Sequence, residues 1–380
     1  MRTIAAITTS RADYSHLYWV LHELRDHAEI DLKLIVSGAH LSADFGETVA
    51  EIRRDGFTID ATVECLDDRD TDHGMARTIG QAMLGVSDVL ADMRPDILLI
   101  IADRYEMLAP ACAALALRIP IAHIEGGDIS EGAIDDAVRN ALTKMSHLHL
   151  TPTEDAKQRV IGMGEEPWRV HFAGAPSLDH LVRSTLPDRD SLQSHLGCSV
   201  TDSAIVVAYH PVTIAKDTLR EADAVFDALQ RLDHQTFFCF PNADAGGRKL
   251  IQRARAFCDA GDDRHLLVNL NPIFYWSLLK HAALMIGNSS SGIMETPSLA
   301  LPTINIGFRQ QGRTRARNII DVEANADAIV DAAQTALSSA FLESLHGMTN
   351  PYGDGHAAQR ITNVLVAAKL GEELLHKQPV

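Results

Sequence analysis

The chain has 380 residues, 46% hydrophobic and 22% charged, with a formal net charge of −17. That length exceeds one ordinary core and fits two domains, no apolar run reaches the ~18 residues of a membrane span, and the acidity disfavours nucleic acid or an anionic membrane as partner. Cysteines 65, 112, 198, 239 and 258 are scattered, odd in number and without a CxxC, which argues against a disulfide framework or zinc site and for a reducing cytoplasm. Met1-Arg2-Thr3-Ile4 runs straight into a strand-like segment, which reads as a start without a signal peptide.

In chain order, apolar runs predict strands at 3–8, 31–36, 97–102, 119–124 and 147–151, then at 204–209, 236–240, 265–269, 283–286 and 303–306. Helical patterns lie between them, at 17–27, 78–93, 106–117 and 135–144, and 355–377 reads as a final helix. This alternation is the signature of βαβ units and parallel sheets. The polar stretch 183–189, with Pro187, reads as the interdomain linker. The fold class expected is α/β, with two Rossmann-like domains facing a cleft: residues 1–182, residues 190–355, and a terminal segment 356–380 packing back on the first domain.

In such sheets ligands sit beyond the carboxyl ends of the strands. Those ends carry Ser10-Arg11, Asp103-Arg104 and Glu125-Gly126-Gly127-Asp128 in the first half, and His210-Pro211, Pro241-Asn242, Asn288-Ser289-Ser290 and Arg309 in the second. Carboxylates with an arginine on one side suggest work on a sugar or acyl group. A histidine, amides and hydroxyls on the other suggest a nucleotide.

Gly287-Asn288-Ser289-Ser290-Ser291-Gly292-Ile293-Met294-Glu295 follows the buried-strand run Ala282-Ala283-Leu284-Met285-Ile286 and begins what reads as a helix. A helix start offers unpaired N–H groups and positive dipole, and the serines add donors, so the segment is a natural phosphate seat. Glu295, a turn further on, could hold a ribose diol. Asp103 and Glu125 end strands that should be neighbours and could divide acid and base work; the bland reading of Asp103 is a helix cap. Gly126 and Gly127 would let backbone approach a ligand. Asp135 and Arg139 are four apart at the start of a helix and share a face, an ordinary surface pair unless they line the site. Arg309, Arg313 and Arg315 form a basic cluster suited to an anion. His147 and His149 alternate on one strand face with no carboxylate or cysteine spaced with them, so no metal site is read. Neither a GxGxxG after the first strand nor a GxxxxGK[ST] occurs, against NAD and ATP hydrolysis.

These residues resemble the hydrolysing UDP-N-acetylglucosamine 2-epimerases, which begin sialic and related nonulosonic acid synthesis. The matching motifs run in order along nearly the whole chain. They include Thr9-Ser10-Arg11-Ala12-Asp13-Tyr14, Asp103-Arg104-Tyr105-Glu106, His123-Ile124-Glu125-Gly126-Gly127-Asp128, Asp135-Asp136-Ala137-Val138-Arg139, His210-Pro211-Val212-Thr213, Pro241-Asn242-Ala243-Asp244, the serine run, and Gly307-Phe308-Arg309. The resemblance implies a GT-B-like fold, a UDP-sugar substrate, no redox cofactor and no obligatory metal, and a homodimer or homotetramer. It implies elimination of UDP with loss of the C2 proton to give a 2-acetamidoglucal, then addition of water to release N-acetylmannosamine. By motif position Asp103, Glu125 and Asp135 would be the acid–base carboxylates, with Arg139 and His210 orienting them and stabilising the departing phosphate. Arg11, Asn242, Asp244, Ser289, Ser290, Gly292, Glu295 and Arg309 would hold UDP.

Three departures stand out. Ala102 precedes Asp103 where the family usually has Gly, Asp128 stands where Glu is common, and His16 occupies the place where relatives that keep the nucleotide usually carry a lysine. Competing readings are the same reaction on a UDP-2,4-diacetamido-trideoxy sugar, a GT-B glycosyltransferase, and a non-catalytic nucleotide-sugar sensor.

Overall fold

The structure, a computed structural model, describes every residue except 70, 132, 213–216, 218, 240–245, 269, 379 and 380. The chain divides into two compact units. The first holds Met1–Asp128, Ile134–Val182 and Tyr352–Val380; the second holds Ile129–Ala133 and Arg183–Pro351. No helix among the described residues is long and apolar enough to cross a membrane.

Unit 1 is built on β1 (Arg2–Thr8), β2 (Ile30–Ser37), β3 (Ala61–Val63), β4 (Ile97–Ile101), β5 (Ile121–Ile124), β6 (Leu148–Thr151) and β7 (Val170–Phe172). They form one seven-stranded sheet in the order β3-β2-β1-β4-β5-β6-β7, every pair parallel. Its central strand β4 is apolar on both faces, Ile97 to Ile101 being wholly buried, because helices cover both sides of a parallel sheet.

Unit 2 is built on β8 (Ile205–Ala208), β9 (Thr236–Cys239), β10 (Arg264–Leu267), β11 (Leu284–Gly287), β12 (Thr303–Ile306) and β13 (Ile319–Val322), ordered β10-β9-β8-β11-β12-β13 and again all parallel. Its core has two faces. Ile205 and Val207 pack with Phe238, Ile286 and Ile304 on one, and Val206 and Ala208 with Phe237 and Met285 on the other, the two-residue period of a strand between two helical layers. In each sheet the strand order reverses once, between β1 and β4 in unit 1 and between β8 and β11 in unit 2. The crevice outside such a reversal is where an open α/β sheet takes its ligand.

Three strands were not expected: β3, β7 and β13. All are sheet edges, short and only partly buried, so they lack the continuous apolar run that marks a central strand. The single final helix expected over 355–377 is two helices, Ala357–Ala367 and Glu372–Leu375. Gly371 between them has φ +120°, a conformation that helix excludes. The longer helix belongs to the unit 1 core through Ile361 and Leu365. Distant side chains cap both of its ends. Asp179 accepts from the N–H groups of Ala357 (2.8 Å) and Ala358 (2.9 Å), and Arg2 donates to the carbonyls of Leu365, Val366 and Ala368.

Candidate active site

In unit 1 the turn from β1 into the helix Arg11–Asp26 is fixed by Asp13. Its carboxylate accepts from the N–H of Thr9 (2.7 Å) and of Ser10 (2.7 Å) and from both of their hydroxyls, closing a capping box. Arg11 is therefore the first residue of a well-anchored helix.

Asp103 and Glu125 lie just beyond neighbouring strands, since β4 and β5 pair in register with Ile101 opposite Ile124. Asp103 accepts a hydrogen bond from the Arg139 guanidinium, whose Nη1 also donates to the Asp128 carbonyl at 3.1 Å. Arg139 is 1% exposed, so this charge pair is largely dry. Arg139 and Asp135 both come from the helix Asp135–Met145, Asp135 as its first residue and 7% exposed. Glu125, 5% exposed, meets the Nδ1 of His16 through Oε1 at 2.8 Å. A residue outside the sequence-based candidate set thus holds one of the carboxylates.

Two backbone conformations aim these groups. Ala102 has φ +57° and Glu125 φ +64°, both in the left-handed region that L-residues rarely adopt. This gives the departure at 102 a physical meaning, because glycine is the residue suited to that conformation. Ala102 is held there by His123, whose Nε2–H donates to the Ala102 carbonyl at 2.7 Å. Burial pushes the His123 imidazole down to about 4, so the ring is neutral and its Nδ1 is an acceptor facing the Thr143 hydroxyl at 3.4 Å. Gly126 and Gly127 are required by the protein's own packing. A Cβ on Gly126 would come within 2.9 Å of the His123 ring, and one on Gly127 within 2.5 Å of the Ala156 carbonyl.

In unit 2 the serine run behaves differently from expectation. The α-helix it opens is a single turn, Ser291–Met294, continued by the 3-10 turn Thr296–Leu299, so little macrodipole stands behind it. The organiser is Asn288, fully buried at the end of β11. Its side chain accepts from the His210 N–H at 2.7 Å and donates to the His210 carbonyl at 2.9 Å, adding a rung across the β8–β11 reversal. Gly287 before it is necessary, because a Cβ there would lie 2.0 Å from the Ala208 carbonyl oxygen. The Asn288 carbonyl in turn accepts from Arg309 (3.1 Å) and Gln310 (2.8 Å).

The sequence marks Asn288 as a strand-end residue and His16 as a departure from the family pattern, but gives neither its partner. For Asn288 the signal is an amide directly after a buried strand. Ser289 and Ser290 are half-buried. The Ser291 hydroxyl donates to Glu295 and contacts the Tyr275 hydroxyl at 2.7 Å. Gly292 is small because a Cβ would stand 3.0 Å from Thr303 of β12.

The three-arginine cluster is dispersed. Arg309 joins Asn288, Arg313 is buried with its guanidinium on the Met294 sulfur (3.0 Å), and Arg315 pairs with Asp321 at 3.1 Å. Arg309 reaches the start of the serine run and Arg313 the end of its helical turn. Asn242 and Asp244 lie outside the described residues. The absence of a carboxylate beside His147 and His149 is also corrected: Glu165, distant in pattern, contacts His149 Nε2 at 3.1 Å. Among the described residues no three His, Cys, Asp or Glu side chains group as a metal site.

The family model described as UDP-N-acetylglucosamine 2-epimerase matches residues 22–366. The chain belongs to that epimerase family. Among its family relatives, the UDP-N,N'-diacetylbacillosamine 2-epimerase (hydrolyzing) of Legionella pneumophila is 35% identical over 379 residues, covering 99% of both chains. The GDP/UDP-N,N'-diacetylbacillosamine 2-epimerase (hydrolyzing) of Campylobacter jejuni is 36% identical over 327 residues, 85% of each. The UDP-N-acetylglucosamine 2-epimerase of Neisseria meningitidis is 32% identical over 340 residues, 89% of this chain and 88% of that one. In fold, the family's α/β, GT-B-like pair of Rossmann-like domains recurs in the Neisseria meningitidis UDP-GlcNAc 2-epimerase bound to UDP-GlcNAc, with TM-score 0.78, 19% identity and coverage of 96% and 100%.

Proposed function

We propose that this chain is a hydrolysing 2-epimerase that converts a UDP-2-acetamido sugar and water into UDP and the free sugar inverted at C2. The observation that carries the reading is the pair of strand-end carboxylates, Asp103 held by Arg139 and Glu125 held by His16, on adjacent strands of a family member. A sugar whose C2 proton must leave and be replaced needs two such groups in different settings.

In the proposed reaction a carboxylate takes the C2 proton, and the C2–H electrons form the C1–C2 double bond. The C1–O bond breaks, and its electrons depart with UDP, leaving a 2-acetamidoglucal. Water then adds its hydroxyl at C1, and a proton returns to C2 from the opposite face. Asp103, Glu125 and Asp135 are the acid–base groups of this reading. Arg139 and His210 orient them and meet the developing phosphate charge, and Ser289, Ser290, Arg309 and Arg11 hold the diphosphate. Glu295, which accepts from Ser291, is the group assigned to the ribose.

For the substrate, the Legionella relative favours UDP-N,N'-diacetylbacillosamine, and the Campylobacter relative, named for the GDP or UDP form, favours the same sugar. UDP-N-acetylglucosamine, giving N-acetylmannosamine, is the second reading, supported by the Neisseria relative. The test is to incubate the protein with each nucleotide sugar in heavy water, measure free UDP, and read the C2 position of the product by NMR. Deuterium at C2 with UDP release from one sugar selects that substrate. UDP release only with an added sugar acceptor, and no deuterium, would make the chain a glycosyltransferase. Binding without release from either sugar would make it a sensor.

A further inference from the structure

We infer that His16 is a positioning residue for Glu125, setting through its Nδ1 which carboxylate oxygen faces the sugar. The inference rests on the function proposed above, in which Glu125 works on C2.

The contact joins residues 109 apart, at 2.8 Å between Nδ1 and Oε1, with His16 18% and Glu125 7% exposed in their side chains. Both ends of it are anchored through backbone. His16 lies on the second turn of the helix Arg11–Asp26, whose start is locked by Asp13. The carbonyl of Ser15, the residue before it, accepts from the His180 Nε2–H at 3.2 Å, which fixes that turn of the helix. Glu125 donates its N–H to the Leu150 carbonyl at 2.8 Å and holds a left-handed φ of +64°, so its Cα–Cβ direction is set by strand β5. The contact therefore joins a helix to a turn residue fastened to β6 by its own backbone, an arrangement that can hold a reacting group closely.

A carboxylate has two oxygens and rotates about its last bond. Tying Oε1 to the imidazole restricts that rotation and so constrains where both oxygens point. For a C–H as weakly acidic as the sugar C2, the rate depends on that direction, and a displacement of about 1 Å costs about 100-fold. His180 beside His16 adds no competing charge, since burial pushes its imidazole down to about 4 and leaves it neutral.

Three variants test this. Asparagine places an amide N–H near the position of Nδ1, glutamine reaches the position of Nε2, and leucine keeps bulk alone. His16→Leu should lower kcat for UDP release about 100-fold with KM and UDP affinity within about twofold. His16→Asn should recover about tenfold of that loss, and His16→Gln should not. Wild-type turnover in His16→Leu, or equal recovery by Asn and Gln, overturns the proposal. A second measurement needs no turnover. The imidazole nitrogen resonances of 15N-histidine protein should show the His16 Nδ1 signal move in Glu125→Gln while the His180 signals stay; an unmoved Nδ1 overturns the contact. If the wild type releases UDP from neither sugar, the epimerase reading fails, and the Nδ1 signal still decides whether His16 holds Glu125.

Discussion

Two histidine–glutamate contacts of unit 1, His16–Glu125 and His149–Glu165, have the same chemistry and opposite settings. His16 meets Glu125 just beyond the end of β5, where the sheet opens to a ligand. His149 meets Glu165 at 3.1 Å inside β6, where both side chains are fully buried. Glu165 is also held by Lys144 at 2.5 Å and Lys377 at 2.7 Å, so both of its oxygens carry cations. Burial pushes its carboxyl up, but the hydrogen bonds from His149, Lys144 and Lys377 prevail and bring it down to about 2. His149 is driven down by burial despite its glutamate neighbour.

A carboxylate tied to two ammonium groups stays ionised and cannot trade a proton. What it does is fasten the end of the chain: Lys377 also donates to the carbonyls of Lys144 and Ser146, and the buried Arg169 donates to those of Glu373, Leu374 and His376. The pair at a strand end suits chemistry, and the pair in the sheet suits cohesion. Position relative to the sheet and the number of cations separate them, not residue type.

The sharpest way to break that comparison is to neutralise both glutamates. Glu125→Gln should lower turnover by about 1,000-fold and leave UDP binding and the unfolding midpoint in place, measured by UDP release, calorimetric titration and urea. If Glu125→Gln kept near-normal turnover, the strand-end pair would be as structural as the other.

Glu165→Gln should do the reverse, costing about 3 kcal/mol in urea unfolding because partly buried ammonium groups lose their counter-charge, with turnover per folded molecule unchanged. The same pair predicts a pH dependence. The Glu165 carboxyl sits at about 2 in the folded chain against an ordinary 4.5, so its stabilisation is present above 4.5 and is lost as pH falls from there towards 2. Wild-type stability should decline across that window more steeply than that of Glu165→Gln, and parallel declines would remove Glu165 as the cause.

Ser290→Ala probes unit 2 instead and should weaken UDP binding by about 1 kcal/mol without touching either pair. The smallest effect is expected at Ala102. Removing the left-handed strain with Ala102→Gly outweighs the extra freedom of the unfolded chain by about 0.5 kcal/mol, read as a small rise in the unfolding midpoint.

Central strands were legible because a parallel strand covered on both faces must be apolar throughout, as Ile97 to Ile101 are. Edge strands β3, β7 and β13 were not, since a strand covered on one side needs no such run. The helix after Ser290 was legible as a helix start but not in its length: it ends within a turn because Thr296-Pro297 lies only a few residues on, and the proline cannot donate to a continuing α-helical ladder. The arginines at 309, 313 and 315 read as one basic face. Their separation follows from an irregular segment whose side chains diverge to Asn288, Met294 and Asp321.

By itself the sequence determined the α/β class, the alternation of strands and helices, and which polar residues follow buried strands, because these depend on local periodicity and on what a covered sheet can tolerate. Only the tertiary structure decided the partners. His16 and Glu125 are 109 residues apart, and no pattern along the chain pairs them. They meet because β1, β4 and β5 lie side by side in one sheet and a left-handed residue turns the carboxylate towards the first helix.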